Sequence, residues 1–226
     1  MRPVLKWTVG ENGVTEIFAQ YQNAKPLLKS NFGSEGFYYC NYCDRKVAGV
    51  DLNVEHILPK EQNPHLEFRW DNFLLGCTNC NNAKYTTDFV LNDVVLPHIQ
   101  NTVHCFSFMD DGTMALNIAA PGSHHNRIVR TINLLGLHMG KHHAERKPQD
   151  DRYKERGEVL RIARRKLSQF EAGKQDVPDI VDCATTSGYW LVWVEVFDRH
   201  LDVKNALITS FTGTYPYCFT TNIDRV

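Results

Sequence analysis

The reading turns on residues 40–84. They open as Cys40-Asn41-Tyr42-Cys43 and continue through Asp51-Leu52-Asn53-Val54-Glu55-His56-Ile57-Leu58-Pro59-Lys60. They close as Trp70-Asp71-Asn72-Phe73-Leu74-Leu75-Gly76-Cys77-Thr78-Asn79-Cys80-Asn81-Asn82-Ala83-Lys84. Two Cys-x-x-Cys pairs, Cys40/Cys43 and Cys77/Cys80, therefore bracket a Glu-His dipeptide and an Asn. Such pairs can offer four thiolates to one tetrahedral zinc, with Zn–S bonds of about 2.3 Å. Disulfide pairing is the competing reading. The chain shows no secretory leader, and in a reducing compartment this spacing means metal rather than cystine. The expectation is a cytoplasmic protein with a structural Zn²⁺.

What lies between the pairs carries the chemistry. Val54-Glu55-His56-Ile57-Leu58-Pro59 reads as a strand stopped by proline. Neighbouring side chains of a strand point to opposite faces, so Glu55 and His56 share one site only if the strand ends or bulges there. Asn81 falls at the expected start of a short helix, with Lys84 three positions on and on the same face. Carboxylate and amide oxygens suit a hard cation such as Mg²⁺. A neutral imidazole, of reference pKa about 6.5, can take a proton from water near neutrality. These are the parts of a metal-assisted phosphodiester hydrolase.

In that order, residues 40–84 resemble the HNH (ββα-metal) nucleases, in the variant with four zinc-binding cysteines. The resemblance implies an α+β fold: a zinc-pinned ββα-metal core with mainly helical flanks. It also implies roles. His56 would be the general base, Glu55 and Asn81 would hold the catalytic Mg²⁺ or Mn²⁺, and Asn72 would tie the loop together and orient His56. Glu55 stands where Asp is common, which bears on metal preference more than on activity. A wider resemblance adds Val54–Lys60, the Trp70–Leu74 segment, Cys80-Asn81-Asn82-Ala83-Lys84 and Thr131-Ile132-Asn133-Leu134-Leu135-Gly136-Leu137. It is to the HNH subunits of Septu-type and retron-associated anti-phage systems, and it implies an ATPase partner subunit.

The rest of the chain sets the context. With 226 residues it has room for one good core and a smaller zinc-pinned module. The expected division is a helical buttress (1–39), the nuclease core (40–84) and a mainly helical region with a short hairpin (85–226). No apolar run approaches a membrane span. A net charge of −1 is unusual for a protein that must grip a polyanion alone. Either the basic surface is local or a partner holds the nucleic acid, which the reading takes as DNA in preference to RNA. The one basic excess lies in residues 141–174, with eleven Lys or Arg against six Asp or Glu. Such a run is ordinarily the solvated face of an amphipathic helix. Beside a nuclease motif, Arg161, Arg164 and Arg165 become candidate phosphate contacts, with Lys60 and Lys84 nearer the motif.

Helices are expected over Gly13–Ser30, His125–Leu135, Arg156–Phe170, Thr186–Phe197 and Asp202–Phe211, the last with Asp202 as N-cap, and a hairpin over residues 103–118. Trp190, Trp193 and Phe197 would form core or, if exposed, a partner-docking surface. The adjacent pairs His124/His125 and His142/His143 read as solvated, and Cys105, Cys183 and Cys218 as free thiols. A rival reading is a non-catalytic zinc-knuckle module that binds nucleic acid or protein. A purely structural knuckle has no need of Glu55, His56, Asn72, Asn81 and Lys84 together.

Overall fold

The computed structural model describes residues 1–220 and 222–225. Its centre is a hairpin that runs directly into a helix. Strand β1 (Leu52–His56) pairs antiparallel with β2 (Phe73–Cys77), placing Leu52 opposite Cys77 and His56 opposite Phe73. The apolar run Phe73-Leu74-Leu75 makes β2 an interior strand, and all five of its residues are buried. Helix α2 (Thr78–Lys84) follows at once. Asn41, inside the first cysteine pair, closes the free edge of β2. Its N–H donates to the Leu75 carbonyl and its Oδ1 accepts from the Leu75 N–H, each at 2.8 Å.

The flanks enclose this unit. Helix α1 (Lys25–Phe32) packs on both strands. A second hairpin, β3 (Phe106–Phe108) with β4 (Met114–Leu116), leads to α3 (His125–Leu134). Then come α4 (Arg152–Glu171), α5 (Val177–Ser187), α6 (Trp190–Val196) and α7 (Leu201–Ser210), with α4 against α6 and α5 against α7. One buried cluster runs through all of it, from Met1 to Ile223. The architecture is α+β with helical flanks, and no helix of the described residues is long and apolar enough to cross a membrane.

Several local expectations are corrected. The Gly13–Ser30 helix shrinks to α1, preceded by a single tight turn over Tyr21–Ala24. Upstream, Ile17 bridges to Arg69 and the Phe18 N–H donates to the Phe68 carbonyl. The chain there is extended against the loop before β2, and Phe18 packs on Trp70 and Phe73 without a helix. Pro26 occupies the first turn of α1, where its missing N–H costs nothing. The helix expected from Thr186 is broken at Gly188 and Tyr189, both at positive φ, because Tyr189 N–H donates to the Asp44 carbonyl beside the first cysteine pair. Trp190, Trp193 and Phe197 are all fully buried, so they form core and no docking surface. His200, and not Asp202, occupies the N-cap of α7, and α2 begins at Thr78, three residues before Asn81.

Helix α5 is not among the helices expected above. Its signal was present: Asp176 and Asp179 form a reciprocal capping box, with proline in the first turn. The hairpin at 103–118 and the helix from His125 stand where expected. Gly112 in the hairpin turn has φ +82°, and a Cβ there would fall 2.0 Å from the Tyr153 carbonyl oxygen of α4. The C-terminal segment packs back onto the domain, with Arg225 donating to the carbonyls of Val4, Pro97 and Gln100. Thr221 and Val226 of that segment lie outside the described residues.

Candidate active site and metal centre

Strand β1 ends at His56, so the alternation of the strand stops where the site begins. Glu55, His56 and Asn81 then line a single cleft of about 310 Å³. His56 Nε2 lies 2.9 Å from the Glu67 carbonyl oxygen. A carbonyl can only accept, so in the neutral ring Nε2 carries the hydrogen and Nδ1 keeps its lone pair. Burial holds the imidazole pKa below its ordinary value, with the Glu67 carbonyl pulling the other way. The Tyr21 ring meets the imidazole edge-on at 4.8 Å, and Phe73 does so at 5.3 Å. Two aromatic contacts and one hydrogen bond fix the ring plane.

Asn72 is buried and clamps the loop between the strands. Its Oδ1 accepts from the Leu58 N–H at 2.8 Å and its Nδ2 donates to the Leu58 carbonyl at 2.9 Å. With Asn72's own carbonyl accepting from Ile57, the two residues after His56 are held from both sides. Glu55 is almost wholly buried, and Lys84 Nζ lies 3.0 Å from its Oε1. Among the described residues Lys84 is the one close partner of that oxygen. Burial pushes the Glu55 carboxyl up, against the opposing pull of Lys84. Gly76 makes room for this side chain, since a Cβ there would come 3.0 Å from Glu55 Cβ.

The cysteines meet beneath the cleft. The Sγ atoms of Cys40, Cys43, Cys77 and Cys80 all lie within 4.8 Å of one another, with Cys43 and Cys77 at 3.7 Å. Bonds of about 2.3 Å in a tetrahedron place sulfurs roughly 3.8 Å apart, so the cluster has the dimensions of a zinc site. It is the one such group of His, Cys, Asp or Glu among the described residues, and all seven cysteines are free thiols. Arg152 of α4 donates to Cys80 Sγ at 3.1 Å, and the Cys77 N–H donates to Cys40 Sγ at 3.3 Å. These donors would offset part of the negative charge of four thiolates.

The basic candidates are distributed unevenly. Lys60 lines the cleft, stands over the Tyr21 ring at 5.0 Å and pairs with Glu67 at 3.2 Å. Lys84 is interior and committed to Glu55. Arg161 pairs with Glu158, Arg164 with Asp110, and neither these nor Arg165 lines the cleft. Arg152 and Arg156, from the same basic run, are buried. Tyr21, Glu67 and Arg152 were not singled out in the sequence. Tyr21 was hidden in a presumed helix, and Glu67 acts through a carbonyl that every residue has. Tyr85 was missed as well. It follows α2 at the cleft rim with φ +45°, a backbone strain that costs on the order of 1–3 kcal/mol in a residue other than glycine.

The site thus combines a zinc-sized cysteine cluster under a ββα unit with an acidic–His pair at the end of its first strand. Residues 40–87 match the family model described as HNH endonuclease. Beyond this stretch, the chain is similar to the Septu protein PtuB of Bacillus thuringiensis, 29% identical over 106 residues. That alignment takes in 43% of this chain and 41% of the relative. It is also similar to a candidate HNH endonuclease of retron Vc95 from Vibrio cholerae serotype O1 biovar El Tor, 27% identical over 138 residues. There the alignment takes in 58% of this chain and 67% of the relative. The chain thus spans about two fifths of the first relative's length and two thirds of the second's.

Proposed function

We propose that this chain is a divalent-metal-dependent HNH endonuclease that hydrolyses phosphodiester bonds of nucleic acid, DNA in preference to RNA. The observation that carries the reading is the setting of His56. Its ring is fixed by Glu67, Tyr21 and Phe73, its Nδ1 is left as the base, and it shares a cleft with Glu55 and Asn81. His56 takes the proton of an attacking water, while Asn72 keeps the following loop from shifting the ring. Glu55 and Asn81 offer oxygens of the kind Mg²⁺ or Mn²⁺ prefers, with Lys84 the close partner of Glu55 Oε1. Such an ion, when bound, neutralises charge on the phosphate and at the leaving oxygen. Lys84 holds the carboxylate in place, and Lys60 stands where a phosphate can meet it. Cys40, Cys43, Cys77 and Cys80 hold a Zn²⁺ that is structural.

The test is plasmid nicking with and without divalent ion, run beside His56→Ala. Loss of a general base costs on the order of 100-fold to 10,000-fold, and zinc content and DNA affinity stay near wild type. Wild-type rates in His56→Ala across a metal titration would overturn the reading. They would leave the zinc-knuckle binding module as the alternative.

We infer further that the chain is the nuclease of a cytoplasmic anti-phage complex with an ATPase subunit. The Septu and retron relatives support this, as does a net charge of −1 on a chain that must engage a polyanion. Co-expression with an ATPase encoded beside it, followed by size-exclusion, is the test. Two separate elution peaks at working concentration would count against it.

A further inference from the structure

We propose that Tyr85 is a stacking platform for a nucleobase beside the scissile phosphate, so that the strand to be cut must present an unpaired base at the cleft. The proposal rests on the nuclease reading and names the form of its substrate.

Three observations meet on this residue. First, Tyr85 lines the cleft that holds His56, Glu55 and Asn81, yet 74% of it is exposed. Second, its backbone stands at φ 45°, ψ −132°, and the Thr87 N–H closes on the Lys84 carbonyl at 3.0 Å. That is a reverse turn whose first central position is ordinarily glycine. The strain is not offset by packing, because the ring stands in solvent. Strain of this kind, held at a site, points to use of the side chain that causes it. Third, the other tyrosine of the cleft is already committed. Tyr21 meets the His56 ring with its edge and carries Lys60 over its face. Tyr85 is therefore the aromatic surface at this cleft with a face to give.

The chemistry of that face selects the ligand. Bases stack on aromatic rings with little regard to sequence, since every base has a π-face. Within a paired duplex those faces are already covered by neighbouring bases. A strand with an unpaired or splayed nucleotide can lay a base on Tyr85 while its phosphate reaches toward Lys60 and the Glu55–His56 corner. The last turn of α2 also places Asn81 and Tyr85 four residues apart, with the Asn81 carbonyl accepting from the Tyr85 N–H at 2.7 Å. Base and metal-binding oxygen are thereby held on one rigid piece.

The test uses the full chain and three properties of Tyr85→Gly and Tyr85→Phe. Binding is read as the Kd for a single-stranded oligonucleotide carrying 2-aminopurine, in a His56→Ala background so that nothing is cut. Cleavage is read with Mg²⁺ on the same strand, unpaired and fully paired. Stability is read as Tm. Tyr85→Gly is expected to bind the single strand about 5-fold to 100-fold more weakly, to lose 2-aminopurine quenching, and to lose the preference for the unpaired strand. Its Tm is expected to rise by roughly 2–8 °C as the turn relaxes, which separates lost binding from lost folding. Tyr85→Phe keeps the ring and is expected to bind as wild type. If Tyr85→Gly binds and cuts as wild type, or wild type cuts paired and unpaired strands alike, the stacking claim falls while metal- and His56-dependent cleavage stands. If wild type neither binds nor cuts any strand with metal present, alone or together with the proposed ATPase subunit, the nuclease reading falls and takes this claim with it.

Discussion

At the scale of single residues, the molecule places charge where water is scarce and answers it locally. Glu55 and Lys84 share one buried contact at 3.0 Å. Removing one partner of such a pair strands the other, which is why their charges matter more than any at the surface. His98 is answered less well. Its Nδ1 is buried with no hydrogen-bond partner among the described residues, and burial, aided by Lys6 and Arg225, holds its pKa well below the ordinary histidine value. The unfolded chain protonates His98 near pH 6.5, whereas the folded chain resists the proton until a lower pH. Below about pH 6.5 the unfolded state therefore binds more protons, and stability falls as the solution is acidified towards the folded-state pKa. The expected result is a falling urea midpoint between neutral and mildly acidic pH, with a slope of at most about 1.4 kcal/mol per pH unit from this residue. His98→Asn is expected to flatten that slope. An unchanged slope in the variant would assign the acid sensitivity elsewhere, His56 and His104 being further histidines whose pKa burial depresses.

At the scale of elements, β2 and α2 are two halves of one device. Cys77 ends the strand and Cys80 lies in the first turn of the helix, so the metal site fixes the angle at which α2 leaves the sheet. That angle aims Asn81, Lys84 and Tyr85 at the Glu55–His56 corner. Structural zinc contributes on the order of 10 kcal/mol or more to small modules of this kind. Cys77→Ser and Cys80→Ser are expected to lose stoichiometric zinc, measured by metal analysis, and to lose protection of β1, β2 and α2 in amide hydrogen exchange. The loss should spread to the start of α4, because Arg152 bonds both Cys80 Sγ and the Leu135 carbonyl at the end of α3. Wild-type protein without zinc, or a disulfide among these cysteines, would remove the basis for both expectations.

At the scale of the whole molecule, the question is what grips the nucleic acid. The basic excess of residues 141–174 is partly spent inside. Arg152 and Arg156 are buried, and Arg161 and Arg164 are paired with acids. The fully buried Trp190, Trp193 and Phe197 leave any partner to another face. Affinity that rests on a few phosphate contacts is expected to fall between roughly 50 and 200 mM salt, with a shallow logarithmic slope because few counterions are released. Adding the proposed ATPase subunit should restore binding at the higher salt, which fluorescence anisotropy on a labelled strand would measure. A lone chain that cuts specifically at physiological salt, and gains nothing from the partner, would count against a shared grip.

The sequence by itself determined the cysteine tetrad, the acidic–His pair at a strand end, the Asn between them and the second hairpin. These signals are short-range: ligand spacing, alternation and turn residues act within a few positions of one another. Where it misled, the error was also local. The helix expected over Gly13–Ser30 is overruled at Ile17 and Phe18 by pairing with Arg69 and Phe68, some fifty residues on. Only the tertiary structure decided which carbonyl holds His56, which arginine donates to the cysteines, and that two charges of the basic run lie inside. It also decided that Tyr85 stands free at the cleft. Such facts depend on what the closed chain brings alongside a residue, and the free energy of burying or exposing a group is set by those distant neighbours.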